Sequence, residues 1–328
     1  MKRRTFITLV GGAAAAWPPI VHAQQSENLA RIGFLPLGSP TNHYDVSYVE
    51  AFRNGLTDNG LVDGRNIRVD VLWVANEAEY DQAVIELIRR RARVLVPAGS
   101  SASAAAKRQT STIPIIFISV GDPVGIGIVE SLPHPGGNAT GFTDVLADLS
   151  SKFIEFARDL DTRGVPVGYL WHNKWPDGQH RLVATEQAAQ AAGVLLRPRS
   201  ISDIGELDAI VSDLRSNGMT IIIVQPSPFT YRYRNRIFES MTKNGLANIC
   251  AWPPGPEEGA VIGYGPDYAD IYRRAGSYIS RILAGEKPAD LPVQNPTKFR
   301  LVINLNAAKT LGLQIPATLI AVADQVIE

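Results

Sequence analysis

The chain has 328 residues, 45% hydrophobic and 20% charged, a globular composition on a chain longer than one core usually fills, so two lobes are expected. Basic and acidic residues balance at 32 each, but a leader discussed below carries Lys2, Arg3 and Arg4, and without it 29 basic residues remain, net −3. That leaves no basic field to draw in a phosphate backbone, and nucleic acid is not expected as a partner. Cys250 is the single cysteine, which rules out an intramolecular disulfide, and its apolar setting reads as a buried strand residue.

In chain order, the first feature is Lys2-Arg3-Arg4-Thr5-Phe6-Ile7, then an alanine-rich apolar stretch ending in Val21-His22-Ala23. Paired arginines, a short apolar region and a small-x-small site make an export signal of the twin-arginine type, cleaved after Ala23. The stretch is too short and too interrupted by glycine and proline to span a bilayer. Residues 1–23 are therefore expected to be removed, leaving a soluble periplasmic protein of 305 residues without a lipid anchor.

A strand–loop–helix unit then recurs. Arg31–Leu35 reads as a strand and Tyr44–Asn59 as a helix with Val46, Val49, Phe52 and Leu56 at helical spacing. Asn66–Trp73 alternates like a strand and Tyr80–Arg91 is amphipathic. Val94–Val96, Pro114–Val120, Val165–Trp171 and Thr220–Val224 are further apolar runs, and helices are predicted over Ala102–Gln109, Ile126–Leu132, Gln179–Ala192 and Tyr231–Asn244. Short apolar strands alternating with helices mean parallel sheets covered by helices on both faces. Gly/Pro-rich breaks at 133–141 and 252–259 read as lobe boundaries, and no helix-turn-helix precedes the first strand.

Enzyme signatures are missing. There is no G-x-x-x-x-G-K-[ST] loop and no G-x-S-x-G elbow, and Gly125-Ile126-Gly127 fails the dinucleotide pattern because position 130 is Glu. His43, His134, His172 and His180 show no zinc spacing, and His172 and His180 read as surface residues. No catalytic residue, metal or cofactor is expected.

In open parallel sheets, ligands bind outside the carboxyl ends of the strands. Those ends carry Leu37-Gly38-Ser39, Gly99-Ser100-Ser101, Gly121-Asp122, His172-Asn173 and Ser227-Pro228-Phe229. Glycine and serine at a helix start leave amides aimed at the crevice with the positive end of the helix dipole behind them, which suits a carboxylate. Ser39 and Ser101 could add hydroxyls, and Asp122 and Asp267 are placed to meet an ammonium group. Tyr44, Phe142, Trp175, Phe229 and Tyr264 are candidate apolar lining.

Several blocks resemble one family. They are the leader, Ile32-Gly33-Phe34-Leu35, Ile113–Phe117 running into Gly121-Asp122-Pro123-Val124, and Pro135–Gly141. The most specific is Lys287–Gln294 with Pro296–Phe299, followed by Leu301–Leu305 and Ala308–Leu313. In this order, essentially end to end, they resemble the solute-binding components of bacterial ABC importers in the tryptophan/tyrosine-type group, which have a type I periplasmic binding protein fold.

The resemblance implies an α/β protein with two Rossmann-like lobes of parallel sheet, joined by a three-segment hinge that crosses near Gly141, Gly263 and Asn295. The first lobe would combine residues 29–141 with 263–294, and the second 142–262 with 295–328. By position, the implied ligand-binding residues are Ser39, Gly99, Ser101, Asp122, Thr143, Ser227 and Tyr264; Ser100 and Asn173 join them from the strand ends. The family's usual Asn-Pro-x-x-Pro loop reads His172-Asn173-Lys174-Trp175-Pro176 here. Its frequent Asp-Pro-Phe reads Ser227-Pro228-Phe229, so an acid that could pair with an amino group is missing. The implied function is capture of an amino acid, or an aromatic or aliphatic carboxylate, by a monomer that hands it to an ABC permease in the inner membrane. The rivals are a periplasmic sensor that signals to a membrane receptor and an exported α/β enzyme.

Overall fold

Short, mostly apolar runs of three to six residues form the strands, and most neighbours in a sheet are joined through an intervening helix. The computed structural model describes residues 29–161 and 163–328. The export signal and its cleavage site lie outside the described residues.

The first lobe runs β1 (Ala30–Leu35), α1 (His43–Asp58), β2 (Ile67–Val71), α2 (Tyr80–Arg89), β3 (Ala92–Pro97), α3 (Ser100–Gln109), β4 (Ile115–Val120) and β5 (Ala139–Thr143). Its five strands form a parallel sheet in the order β2-β1-β3-β4-β5. Asn42 starts α1 by accepting hydrogen bonds from the amides of Tyr44 and Asp45. No helix forms over the predicted Ile126–Leu132. Asp122 accepts from the Gly125 amide, the amides of Ile128 and Val129 both turn back to the Pro123 carbonyl, and Gly127 adopts φ 72°, so the segment is a chain of turns.

The second lobe continues with α4 (Ser150–Leu160), β6 (Val167–His172), α5 (Gly178–Ala191), β7 (Leu196–Ile201), α6 (Leu207–Ser216) and β8 (Ile221–Val224). The helix predicted over Tyr231–Asn244 is two, α7 (Pro228–Arg232) and α8 (Arg234–Lys243), separated at Tyr233. Then come β9 (Ala247–Cys250), β10 (Ile262–Pro266), α9 (Tyr268–Leu283), β11 (Phe299–Asn304), α10 (Leu305–Thr310), α11 (Ala317–Ala321) and β12 (Gln325–Ile327). The second sheet has the order β12-β11-β10-β9-β8-β6-β7. It is parallel except for β10 with β11, which are antiparallel. That exception to the parallel expectation follows from the crossings: β10 carries the chain out toward the first lobe and β11 brings it back, so they must point in opposite directions.

The chain passes between sheets after β5, between β10 and α9, and through residues 295–298. Residues 263–266, assigned to the first lobe in the sequence reading, are hydrogen-bonded into the second sheet, and the crossing follows Pro266. Beyond it α9 lies on α1, with Tyr272, Ala275 and Ile279 in one core with Phe34 and Phe52. Glycines allow the two helix backbones to touch there: a Cβ on Gly55 would lie 1.9 Å from the Arg273 carbonyl, and one on Gly276 would lie 2.2 Å from the Gly55 backbone. Apolar cores fill both faces of each sheet, as the pattern of short buried strands requires.

Candidate functional site

The carboxyl ends of the two sheets face each other across a cavity. Six aromatic rings line it: Tyr48, Tyr268 and Tyr272 from the first lobe, and Trp175, Tyr231 and Trp252 from the second.

The first-lobe wall also carries Gly99, Ser100 and Ser119. Gly99, at φ 83°, turns the end of β3 sharply into α3, whose first amides have no partner within the helix. Ser100 is only 1% exposed and Ser119 6%, yet neither hydroxyl has a hydrogen-bond partner among the described residues. Ser119 reaches the cavity through strain: it has φ 57°, and the pairing of β4 with β5 shifts register between Ile118 and Val120. A non-glycine residue held in this region costs about 1–3 kcal/mol and marks functional sites more often than chance. Two orphan hydroxyls beside a helix N-terminus form a neutral donor corner for an anion.

The second-lobe wall holds charge. Asp144 lines the cavity and accepts from Nη2 of Arg181 at 2.9 Å, while Arg181 Nε donates to Asp177 at 2.8 Å. All three residues are buried, and Arg181 lies flat over the Trp175 ring at 4.7 Å. Burial pushes the Asp144 carboxyl upward, against the pull of Arg181. Burial alone would lower Arg181, but the two carboxylates outweigh it and keep the guanidinium charged. One cation between two carboxylates leaves an excess negative charge at the wall. From the first lobe, Gly121 sits directly on this cluster: a Cβ there would lie 2.0 Å from Asp177 Oδ2 and 2.2 Å from Arg181 Nη2.

Of the residues expected from sequence, Gly99, Ser100 and Ser227 line the cavity, as does the aromatic candidate Trp175. The Ser227 hydroxyl is occupied in capping α7, where it accepts from the Thr230 amide at 3.0 Å. The others lie elsewhere. Ser39 is tied to Thr41 at the surface, and Ser101 donates to Glu77 at 3.2 Å. Asp122 stabilises its own turn and faces His180 at 3.9 Å. Thr143 donates to Asn295 at 2.7 Å and so staples two crossing segments. Asn173 is exposed. Tyr264 packs edge-on against Phe156 inside the second lobe, because its position on β10 turns it away from the cavity. Asp267 caps α9, Phe142 packs on Tyr278, and Tyr44 bonds to Glu257.

His172 is not a surface residue. It ends β6 buried, stacked on Phe229 at 4.6 Å, with Nδ1 facing Glu77 of the first lobe at 4.0 Å. Burial, helped by Lys174, holds it down at about 4, so the ring is neutral at pH 7. His180 is exposed, as expected.

Tyr48, Ser119, Asp144, Arg181, Tyr231, Trp252, Tyr268 and Tyr272 were not expected at the cavity from sequence. Tyr268 and Tyr272, four apart on α9, read as a core stripe, and Ser119 sits inside an apolar strand whose bulge leaves no mark in composition.

Known proteins share this architecture. A tyrosine-binding protein of Clostridioides difficile (strain R20291) is 26% identical over 266 residues, covering 81% of this chain and 76% of that protein. A Streptococcus pneumonia ABC domain solved in complex with L-Trp superposes with TM-score 0.83 at 23% identity, over 91% of this chain and all (100%) of that one. A conserved domain protein from Vibrio cholerae O1 biovar El Tor gives TM-score 0.82 at 23% identity, over 90% of this chain and 99% of the other. The family profile of ABC transporter substrate binding proteins matches residues 45–327, and the chain belongs to that family.

Proposed function

We propose that the chain captures an α-amino acid with an apolar, aromatic side chain between its lobes and delivers it to an ABC permease. The observation that carries this reading is the division of labour in the cavity: orphan serine hydroxyls beside a helix start on one wall, a buried carboxylate on the other, aromatic rings between. A zwitterion fits that polarity. Its carboxylate would meet Ser100, Ser119 and the first amides of α3; its ammonium would meet Asp144, an acid that stands in for the one missing at Ser227. A tyrosine-binding relative and a structural neighbour solved with L-Trp support the same choice.

The first lobe, residues 29–141 with 267–294, and the second, residues 142–266 with 295–328, are proposed to open and close about the three crossings, with ligand contacts made in the closed form shifting the population. Export through the twin-arginine leader would place the mature monomer in the periplasm, where closure presents a composite surface to the permease. No bond is made or broken, so binding needs no cofactor.

Calorimetry on the mature chain tests the ligand class. L-tyrosine or L-tryptophan is expected to bind, while the matching 3-arylpropionate, without an amino group, and the matching arylethylamine, without a carboxylate, bind at least about tenfold more weakly, the cost of one buried charged group left unpaired. Equal affinity for the arylpropionate would remove Asp144 from recognition, and turnover of a ligand would replace transport with catalysis.

A further inference from the structure

A second cluster joins the lobes beside the cavity, and no ligand group is needed to complete it. Asp45, in the first turn of α1, is 1% exposed. One of its oxygens accepts from the Ser39 amide of its own lobe at 2.7 Å. The other reaches across the gap, accepting from the Tyr231 hydroxyl at 2.7 Å and from Nη2 of Arg234 at 3.2 Å. The neighbours complete the arrangement. Arg234 is held by Glu258 and stacks over the Tyr231 ring at 4.1 Å, and Asn42 of the first lobe donates to Glu258 at 2.8 Å. Tyr231 is also a wall of the ligand cavity.

The physics runs in both directions. Closing the lobes takes the Asp45 carboxylate out of water, and that burial is tolerable only because a hydroxyl and a guanidinium from the other lobe replace the lost hydration. Conversely, Tyr231 has its hydroxyl pinned by the opposite lobe and one face covered by Arg234, so its remaining surface is presented to the cavity in a single orientation. A ring that is fixed before the ligand arrives loses less entropy on binding.

We propose that Asp45 is a positioning residue for ligand capture: bonded to Tyr231 and Arg234 across the lobe boundary, it fixes one wall of the cavity and holds the lobes together without touching the ligand. The closed arrangement is then partly populated before ligand binds, and ligand residence depends on a contact outside the cavity. The ligand half of this inference rests on the amino-acid reading above; the closure half does not.

The experiment uses the mature full chain with Asp45→Ala, Asp45→Asn, Tyr231→Phe and the double variant Asp45→Ala/Tyr231→Phe. Small-angle scattering without ligand should show a larger radius of gyration for Asp45→Ala than for the parent. With L-tryptophan or L-tyrosine as probe, Asp45→Ala and Tyr231→Phe should each weaken binding roughly tenfold, mainly through faster dissociation. The double variant should be no weaker than the weaker single one, because both remove the same contact. Asp45→Asn keeps an acceptor for Tyr231 and should recover part of the affinity. A residue that only steadies the Ser39 loop would lower the melting temperature and leave radius and coupling unchanged. Equal ligand-free radii, or additive losses in the double variant, overturn the proposal. If neither amino acid binds the parent chain, the ligand reading fails while the scattering comparison still decides the closure.

Discussion

The two walls of the cavity solve opposite problems. The second-lobe wall is charged: Arg181 bridges Asp144 and Asp177, so each buried charge faces one of opposite sign, with one carboxylate in excess. The first-lobe wall is incomplete: Ser100 and Ser119 are buried with no partner among the described residues, and Ser119 is held there in a strained backbone. Charge left unpaired in a low-dielectric interior would cost far more than an unpaired hydroxyl, so the protein satisfies the charges itself and leaves the neutral donors open. Loss of Arg181 should therefore be felt in the fold, and loss of the serine hydroxyls in the ligand.

The strongest break in that contrast is Arg181→Met, which strands two buried carboxylates and should cost about 3–5 kcal/mol of stability in urea unfolding. An unfolding midpoint equal to the parent's would mean that the second wall is not a structural ion cluster. Next is Gly121→Ala. This glycine does not sit at positive φ, so alanine should leave the free protein as stable as before. Its Cβ would collide with Asp177 and Arg181 only when the walls meet, costing up to about 3 kcal/mol of binding; unchanged calorimetric affinity would mean the walls do not close to this distance. Ser100→Ala with Ser119→Ala should lose about 2 kcal/mol of amino-acid affinity, yet melt no earlier than the parent without ligand, since neither hydroxyl has a protein partner to lose. Earlier melting would show that these groups serve the fold.

A further effect is on pH. His172 is held at about 4, below the ordinary 6.5, so the unfolded chain binds its proton more readily than the folded one does. Its contribution to stability is full above about 6.5 and falls as pH drops toward about 4. His172→Asn should flatten the melting temperature over that window, and an unchanged slope would assign the loss to carboxylates instead.

Much of the architecture was legible in the residues. Apolar runs such as Ala30–Leu35 and Ile221–Val224, each followed by a turn and a helix, can bury their faces only in sheets covered on both sides. Strand ends also carry Gly99, Ser100 and Ser227, which line the cavity. Elsewhere a residue's neighbour decides its place. Ser101 and Ser100 are adjacent and chemically identical, yet a rotation of about 100° per residue on α3 sends one to Glu77 and the other to the cavity. Thr143 lies at a crossing and is consumed by Asn295. Asp144 and Arg181, 37 positions apart, form a pair that no local spacing signals.

Periodicity, turn chemistry and the placement of glycine and proline thus determined the elements, their alternation and the two-lobed class, since these depend on what each segment must bury locally. Tertiary structure alone decided which hydroxyls stay unpaired, which aromatic rings leave the core for the cavity, and how Asp45 meets Tyr231 across 186 positions of chain. Those outcomes depend on distances between segments that come together only when both sheets are complete, and burial there gives chemically ordinary side chains their unequal energies.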